Sequence, residues 1–303
     1  MPDPMREKIQ SLKHAKNAII LAHYYQEPEI KRIADAVGDS YALSKTAKES
    51  EETLIVFCGV RFMAESAKIL SPHKKVLLPN ADAGCPMANM AVAEKVTDMK
   101  ARYPDAAVVC YINSPVEVKA LSDVCVTSSN AVSIVSGLHQ KQVIFLPDQN
   151  LASYVALQCP EKDVIPYPGY CIVHDRVMPE EIQELKALHP DAPVAAHPEC
   201  RRVVLDLADF VGSTSGILKY AAESPSPELI IVTEEGIRYD LEQQSPSKRF
   251  YFPGRVPMIC ENMKKTALEH VMWALEYEES EIEIEEAVRQ KAFGCLEAMH
   301  RGK

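Results

Sequence analysis

No two cysteines in this 303-residue chain are spaced C-x-x-C, although nine are present. That excludes a zinc ribbon and a thioredoxin-type redox motif, and the odd count argues against a disulfide framework. No lysine- or arginine-rich block occurs and the net charge is −10. Nucleic acid is therefore excluded as the main partner, because neutralising phosphates needs a basic surface. Apolar runs such as AIILA fall far short of the ~20 residues of a membrane span. The N-terminal MPDPMREKIQSLKHAK lacks the apolar centre of a signal peptide, so a cytoplasmic location with no membrane contact is expected. No low-complexity linker is visible. With 47% hydrophobic and 25% charged residues, the chain reads as globular and soluble.

What is present is a repeat. Three cysteines, Cys85, Cys171 and Cys260, stand near-equally spaced, and each closes one copy of a unit. The units open with AIILAHYYQEPEIKRIADAVGDS, AVVCYINSPVEVKALSDVCVTSS and PVAAHPECRRVVLDLADFVGSTS. In a common register His23 matches Tyr111 and His197, Tyr25 matches Asn113 and Glu199, Asp35 matches Asp123 and Asp209, and Ser40 matches Ser128 and Thr214. A triplicated unit sets equivalent residues around a pseudo-threefold axis, where three thiols and three sets of polar groups meet.

Within each unit, short β-branched runs alternate with helical segments, the pattern of parallel β-α-β units. The expected fold is α/β: three pseudo-threefold-related three-layer αβα domains, each with a roughly four-stranded parallel sheet, around a central active site. The expected domains are 1–88, 89–175 and 176–303, the last including C-terminal helices. Helices are predicted over PEIKRIADA, PVEVKALSD and CRRVVLDLA after the first strands. A helical stretch from Asn262 to His300 is also predicted, its acidic run EYEESEIEIEE forming a solvated face.

Ligands of open parallel sheets bind beyond the carboxyl ends of the strands, where the matched residues fall. Ser40, Ser128 and Thr214 stand where a hydroxyl acts as N-cap and where free backbone N–H groups attract anions. Asp35, Asp123 and Asp209 read as structural turn or capping residues. Cys58, Cys110, Cys125, Cys159 and Cys295 read as small core hydrophobes, and Cys200 has no counterpart. Cys85, Cys171 and Cys260 instead follow the last strand of each unit in Gly- or Pro-containing loops, suiting a metal centre with an open position. Zinc would take three Cys plus His or water. A [4Fe–4S] cluster with only three Cys leaves one iron free to act as a Lewis acid. The residues alone do not decide between them. Tyr25 and Glu199 are the candidate general acid/base groups, against the plainer reading of Glu199 as a surface helix-start acid. His23 and His197 are candidates for substrate contact or proton transfer.

The segments LAHYYQ with GDS, GVRFMAESAKIL, PNADAGCPMA, YINSPVEVKA with TSSNA, FLPDQNLA, HPEC, GSTSG and CENMK resemble the quinolinate synthases, the NadA-type family of de novo NAD biosynthesis. The resemblance runs from about residue 17 to 265. It implies a [4Fe–4S] cluster held by Cys85, Cys171 and Cys260. It also implies a transferase that condenses iminoaspartate with dihydroxyacetone phosphate to quinolinate, phosphate and two waters. The implied site residues are His23, Tyr25, Ser40, Tyr111, Ile112, Asn113, Ser128, His197, Pro198, Glu199, Ser213 and Thr214. Tyr111 is expected to close over the substrate, and an aspartate oxidase or dehydrogenase to supply the iminoaspartate. Some relatives carry C-x-x-C-x-x-C at the third cysteine. Here Cys260 stands alone, so redox switching through that motif is not expected. The competing readings are another [4Fe–4S] hydro-lyase with a single substrate, and a non-catalytic cluster or zinc protein.

Overall fold

The computed structural model describes residues 4–301, so residues 1–3 and 302–303 of the expected outer domains lie outside it. Twelve strands form three four-stranded sheets. The first sheet contains β1 (Ala18–His23), β2 (Ala36–Gly38), β3 (Leu54–Cys58) and β4 (Lys75–Leu77). The second contains β5 (Ala107–Tyr111), β6 (Val124–Val126), β7 (Gln142–Leu146) and β8 (Asp163–Pro166). The third contains β9 (Val194–Ala196), β10 (Phe210–Val211), β11 (Glu228–Val232) and β12 (Arg249–Tyr251). Each has the same order, β2-β1-β3-β4, β6-β5-β7-β8 and β10-β9-β11-β12, and every ladder within them is parallel. The expected α/β class with three parallel sheets is the one observed.

The central strands are apolar except at their ends, as befits strands covered on both faces. In β1, Ile19 and Leu21 enter one core cluster, whereas Ala18, Ile20 and Ala22 enter another. That is the two-residue period of a strand buried on both sides. The second cluster lies under the helices Pro4–Ala15 and Leu268–Tyr277, while the first runs on into the second sheet and the helix Glu286–Arg301.

Repeated polar devices hold each unit. Asp35, Asp123 and Asp209 each donate a backbone N–H to the first strand, at Ile20, Val108 and Val194. Each Oδ2 accepts the N–H of that same strand residue, at 2.8, 2.7 and 2.8 Å. The structural reading of these aspartates holds, and they act as two-point clamps. Because the clamp returns the chain to the sheet at once, the helices after the first strands are shorter than predicted: Pro28–Lys31, Val116–Ala120 and Arg202–Leu205. Lys74, Lys162 and Lys248 are also register-equivalent. Each donates to carbonyls closing the unit's second helix: Ala47 and Ser50, Leu138 and Gln140, Ala221 and Ser224. A cation there complements the negative end of the helix dipole.

Lys31 and Lys119, at matching positions, strap neighbouring units together. Lys31 Nζ donates to the Gly236 carbonyl at 2.8 Å and Lys119 Nζ to the Phe62 carbonyl at 3.5 Å. In the third unit the matching residue is Leu205.

The acidic run departs from expectation. The helix Leu268–Tyr277 ends where Glu278 adopts φ 54° and Ser280 φ 63°, left-handed values that stop a helix. The chain then lies along the edge of β4, with Leu78 N–H donating to Ser280 O and Ile282 N–H to Val76 O. Glu278 pairs with Lys16 and Lys75, and Glu281 with Lys68. The run therefore covers a sheet edge that would otherwise stay unpaired. Among the described residues, no helix is long and apolar enough to cross a membrane.

Candidate active site

The carboxyl ends of the three sheets converge on one cavity. Twelve of the residues singled out from sequence line it: His23, Tyr25, Ser40, Cys85, Tyr111, Asn113, Ser128, Cys171, His197, Glu199, Thr214 and Cys260. Ile112, Pro198 and Ser213 do not form part of the wall. Ile112 is buried, its N–H bonded to Val126 O.

The expected N-caps need correction. Asp39 Oδ1 accepts the Ala42 N–H, and Ser213 Oγ accepts the Gly216 N–H. The caps of the helices Ser40–Glu49 and Thr214–Glu223 are thus the residues just before Ser40 and Thr214. In the second unit the helix begins only at Ala131, after Ser128. With capping assigned elsewhere, the hydroxyls of Ser40 and Ser128 are free to serve the cavity, while that of Thr214 bonds to the Tyr25 phenol.

His23 and His197 are held alike. The Tyr25 N–H donates to His23 Nδ1 at 3.1 Å and the Glu199 N–H to His197 Nδ1 at 3.4 Å. An imidazole that accepts at Nδ1 and is neutral carries its proton on Nε2. Both are neutral. Burial, with Lys264 and Lys31 adding to it, lowers His23 to about 3. Burial also lowers His197 to about 3 despite the Glu199 charge.

Glu199 is 4% exposed, so it is no surface acid. Its Oε1 accepts the Tyr111 phenol at 2.7 Å and its Oε2 lies 2.8 Å from His174 Nδ1. Burial opposes its charge, but His197, His174 and the two hydrogen bonds outweigh burial and hold Glu199 below the usual carboxylate range. His174 Nε2 meets Thr233 Oγ1 at 2.9 Å. Thr233 Oγ1 in turn meets the Tyr25 phenol at 2.9 Å, and that phenol meets Thr214 Oγ1 at 2.8 Å. A continuous hydrogen-bonded chain thus runs Thr214, Tyr25, Thr233, His174, Glu199, Tyr111. Burial and the Glu199 charge push the Tyr25 and Tyr111 phenols well above the ordinary tyrosine value. Sequence reasoning missed His174 and Thr233. His174 has no partner in the repeat, and its signal was only its place three residues after Cys171.

Among the nine cysteines, all free, the three repeat cysteines are partly exposed and the other six are buried. The enclosed pocket pushes Cys85 up to about 12 and raises Cys171 and Cys260. These are protonated thiols that a metal would deprotonate on binding. Three thiols from three units lining one cavity fit an iron–sulfur cluster with three protein ligands. Cys171 Sγ, His174 Nδ1 and a Glu199 oxygen also lie within 4.8 Å of one another, a second possible donor set. Asn113 Oδ1 is buried on the same wall without a protein partner. Among the described residues, no lysine or arginine lines the cavity, so an anion there would be held by neutral donors.

The family described as quinolinate synthetase A protein (NadA) matches residues 7–301. Three quinolinate synthases are similar over nearly their whole length. That of Caldicellulosiruptor bescii is 54% identical over 97% of this chain and 97% of its own. That of Clostridium perfringens is 53% identical over 98% of each. That of Clostridioides difficile is 51% identical over 99% of each.

Proposed function

The chain belongs to the quinolinate synthetase A family, and on that premise we propose that its central cavity condenses iminoaspartate with dihydroxyacetone phosphate to form quinolinate for NAD biosynthesis. The observation that carries the reading is that three partly exposed thiols, one from each unit, share a cavity with the chain joining Tyr25 to Glu199. Cys85, Cys171 and Cys260 would hold a [4Fe–4S] cluster, which supplies Lewis acidity toward a hydroxyl or carboxylate of the bound intermediate.

The chain's own residues bind and move protons. The Nε2–H groups of His23 and His197 and the hydroxyls of Ser40 and Ser128 offer neutral donors to carboxylates and phosphate. Asn113, whose Oδ1 has no protein partner, accepts from a substrate N–H or O–H.

The hydrogen-bond directions define a proton route. With Glu199 ionised, Tyr111 and His174 Nδ1–H donate to it, leaving His174 Nε2 to accept from Thr233 and Thr233 to accept from Tyr25. Glu199 is thus the ionised base of the chain and the Tyr25 phenol its protonated acid, placed at opposite ends for the isomerisation, ring closure and dehydration that the reaction requires. Nine free cysteines suit a reducing compartment, which supports a cytoplasmic site of action. An aspartate-oxidising enzyme is the fitting source of the iminoaspartate.

The test is iron and sulfide content after anaerobic reconstitution. Four iron and four sulfide per chain are expected for the native protein and loss of both for Cys171→Ser. Full iron in that variant would overturn the ligand assignment.

A further inference from the structure

The three cysteine loops are docked to their sheets by one repeated backbone bond. The residue two before each cysteine offers its carbonyl: Ala83, Gly169 and Met258. The donors are the N–H groups of Arg61, Gln149 and Glu235, and all three bonds measure 2.8 Å. These donors stand at one register, the same number of residues after His23, Tyr111 and His197. The residue just before each donor is therefore also equivalent across the units: Val60, Asp148 and Glu234. Two of the three are carboxylates, both fully buried, and neither belongs to the proton route described above.

Glu234 spends both oxygens on backbone, and Asp148 spends only one. Glu234 Oε1 accepts the N–H of Cys260 itself at 3.0 Å, along with Lys264 Nζ at 3.2 Å. Its Oε2 accepts the Gly236 N–H at 2.7 Å. The approach is so close that a Cβ on Gly236 would lie 2.6 Å from that oxygen. Asp148 Oδ1 caps the following helix, accepting from Asn150 and Leu151 at 2.8 Å each. Its Oδ2 is buried without a hydrogen-bond partner, and burial with the Glu199 charge raises this carboxyl well above the usual range. The loop below is equally tight, since a Cβ on Gly169 would lie 2.6 Å from Pro147 O. In the first unit the position is Val60, and the loop carrying Cys85 relies on its backbone bond.

We propose that Glu234 is a positioning carboxylate that fixes the loop carrying Cys260, a side-chain anchor that Asp148 and Val60 do not give the other two loops. The chemistry requires an acid rather than an amide. A carboxylate is acceptor-only, whereas an amide of the same shape has one donor end. Gln at 234 must oppose either Gly236 or Cys260. Outer groups that orient ligands of a metal site alter its affinity by about 10–100-fold when changed.

This inference rests on the reading of the three cysteines as cluster ligands, and the experiment separates the two. Full-length native protein, Asp148→Asn and Glu234→Gln are reconstituted anaerobically. Hydrogen–deuterium exchange is followed in peptides covering residues 80–85, 166–171 and 255–260, beside iron release to a ferrous chelator. Glu234→Gln is expected to speed exchange in the third peptide alone, whereas Asp148→Asn, which keeps its helix cap, should leave the third peptide unchanged. Iron release should rise about tenfold or more in Glu234→Gln. Exchange in Glu234→Gln unchanged in the third peptide, or raised equally in all three, would overturn the proposal. Native protein that takes up no iron would remove the cluster reading, and the exchange pattern would still decide the anchoring.

Discussion

The phenol of Tyr111 donates to Glu199 Oε1 over 2.7 Å, joining the end of a strand in the second sheet to the residues that follow a strand in the third. The bond ties two units across the cavity and fixes one end of the proton route. Glu199→Gln replaces an acceptor-only group facing two donors with an amide that can accept from only one of them. Turnover is expected to fall roughly 10²–10⁴-fold, the range for loss of a positioned acid or base, with iron content unchanged. Rates near native with the cluster intact would remove Glu199 from proton transfer.

The same geometry sets an acid limit on stability. His23 and His197 are held neutral down to about pH 3 in the fold but titrate near 6.5 once unfolded. Between those values the unfolded chain binds more protons, so stability falls as pH drops below about 6.5 and does not change through these groups above it. Each histidine should cost roughly 2 kcal/mol by pH 5. Urea unfolding of the cluster-free protein at pH 7 and pH 5 measures this. The depressed Glu199 acts in the same direction but at lower pH. Equal stabilities at the two values would contradict neutral, buried histidines.

Two metal-donor sets overlap at Cys171, and a substitution separates them. Cys260→Ser removes one proposed cluster ligand and leaves Cys171, His174 and Glu199 in place. That variant should fail to hold four irons yet still bind one Co²⁺, with a thiolate-to-cobalt absorption band that Cys171→Ser abolishes. A band that survives Cys171→Ser would place the cobalt elsewhere.

Lys31 links the first and third units. Its side chain is 1% exposed, with Nζ 2.6 Å from Asp240 Oδ2 and bonded to the Tyr24 and Gly236 carbonyls. Lys31→Met leaves a carboxylate and two carbonyls without their cation. A loss of about 3 kcal/mol in chemical denaturation is expected. A change within experimental error would show that the strap is dispensable.

The sequence shows its repeat because each unit solves the same folding problem. The clamp of Asp35, Asp123 and Asp209 and the three cysteines recur at matching points, so sheet number and cavity lining follow from register. What the repeat does not duplicate stays hidden. His174 belongs to one unit only, and Thr233 becomes meaningful only when Tyr25 of another unit is placed 2.9 Å away. Asp148 and Glu234 share a register, but Val60 breaks the pattern, and comparing only first strands and cysteines passes over it. Helix starts were misjudged by one residue in two units because Asp39 and Ser213 cap as well as the hydroxyl residues that follow them. The acidic run after Tyr277 reads as a helix by composition, and it becomes an edge cover through two left-handed residues.

The most direct measurement is quinolinate formation by the reconstituted protein under strict anaerobiosis. Iminoaspartate and dihydroxyacetone phosphate are supplied together and singly. Product that requires both substrates and disappears in Cys171→Ser is the predicted result. An intact cluster spectrum without quinolinate would contradict the assignment and leave a single-substrate hydro-lyase as the reading of the same cavity.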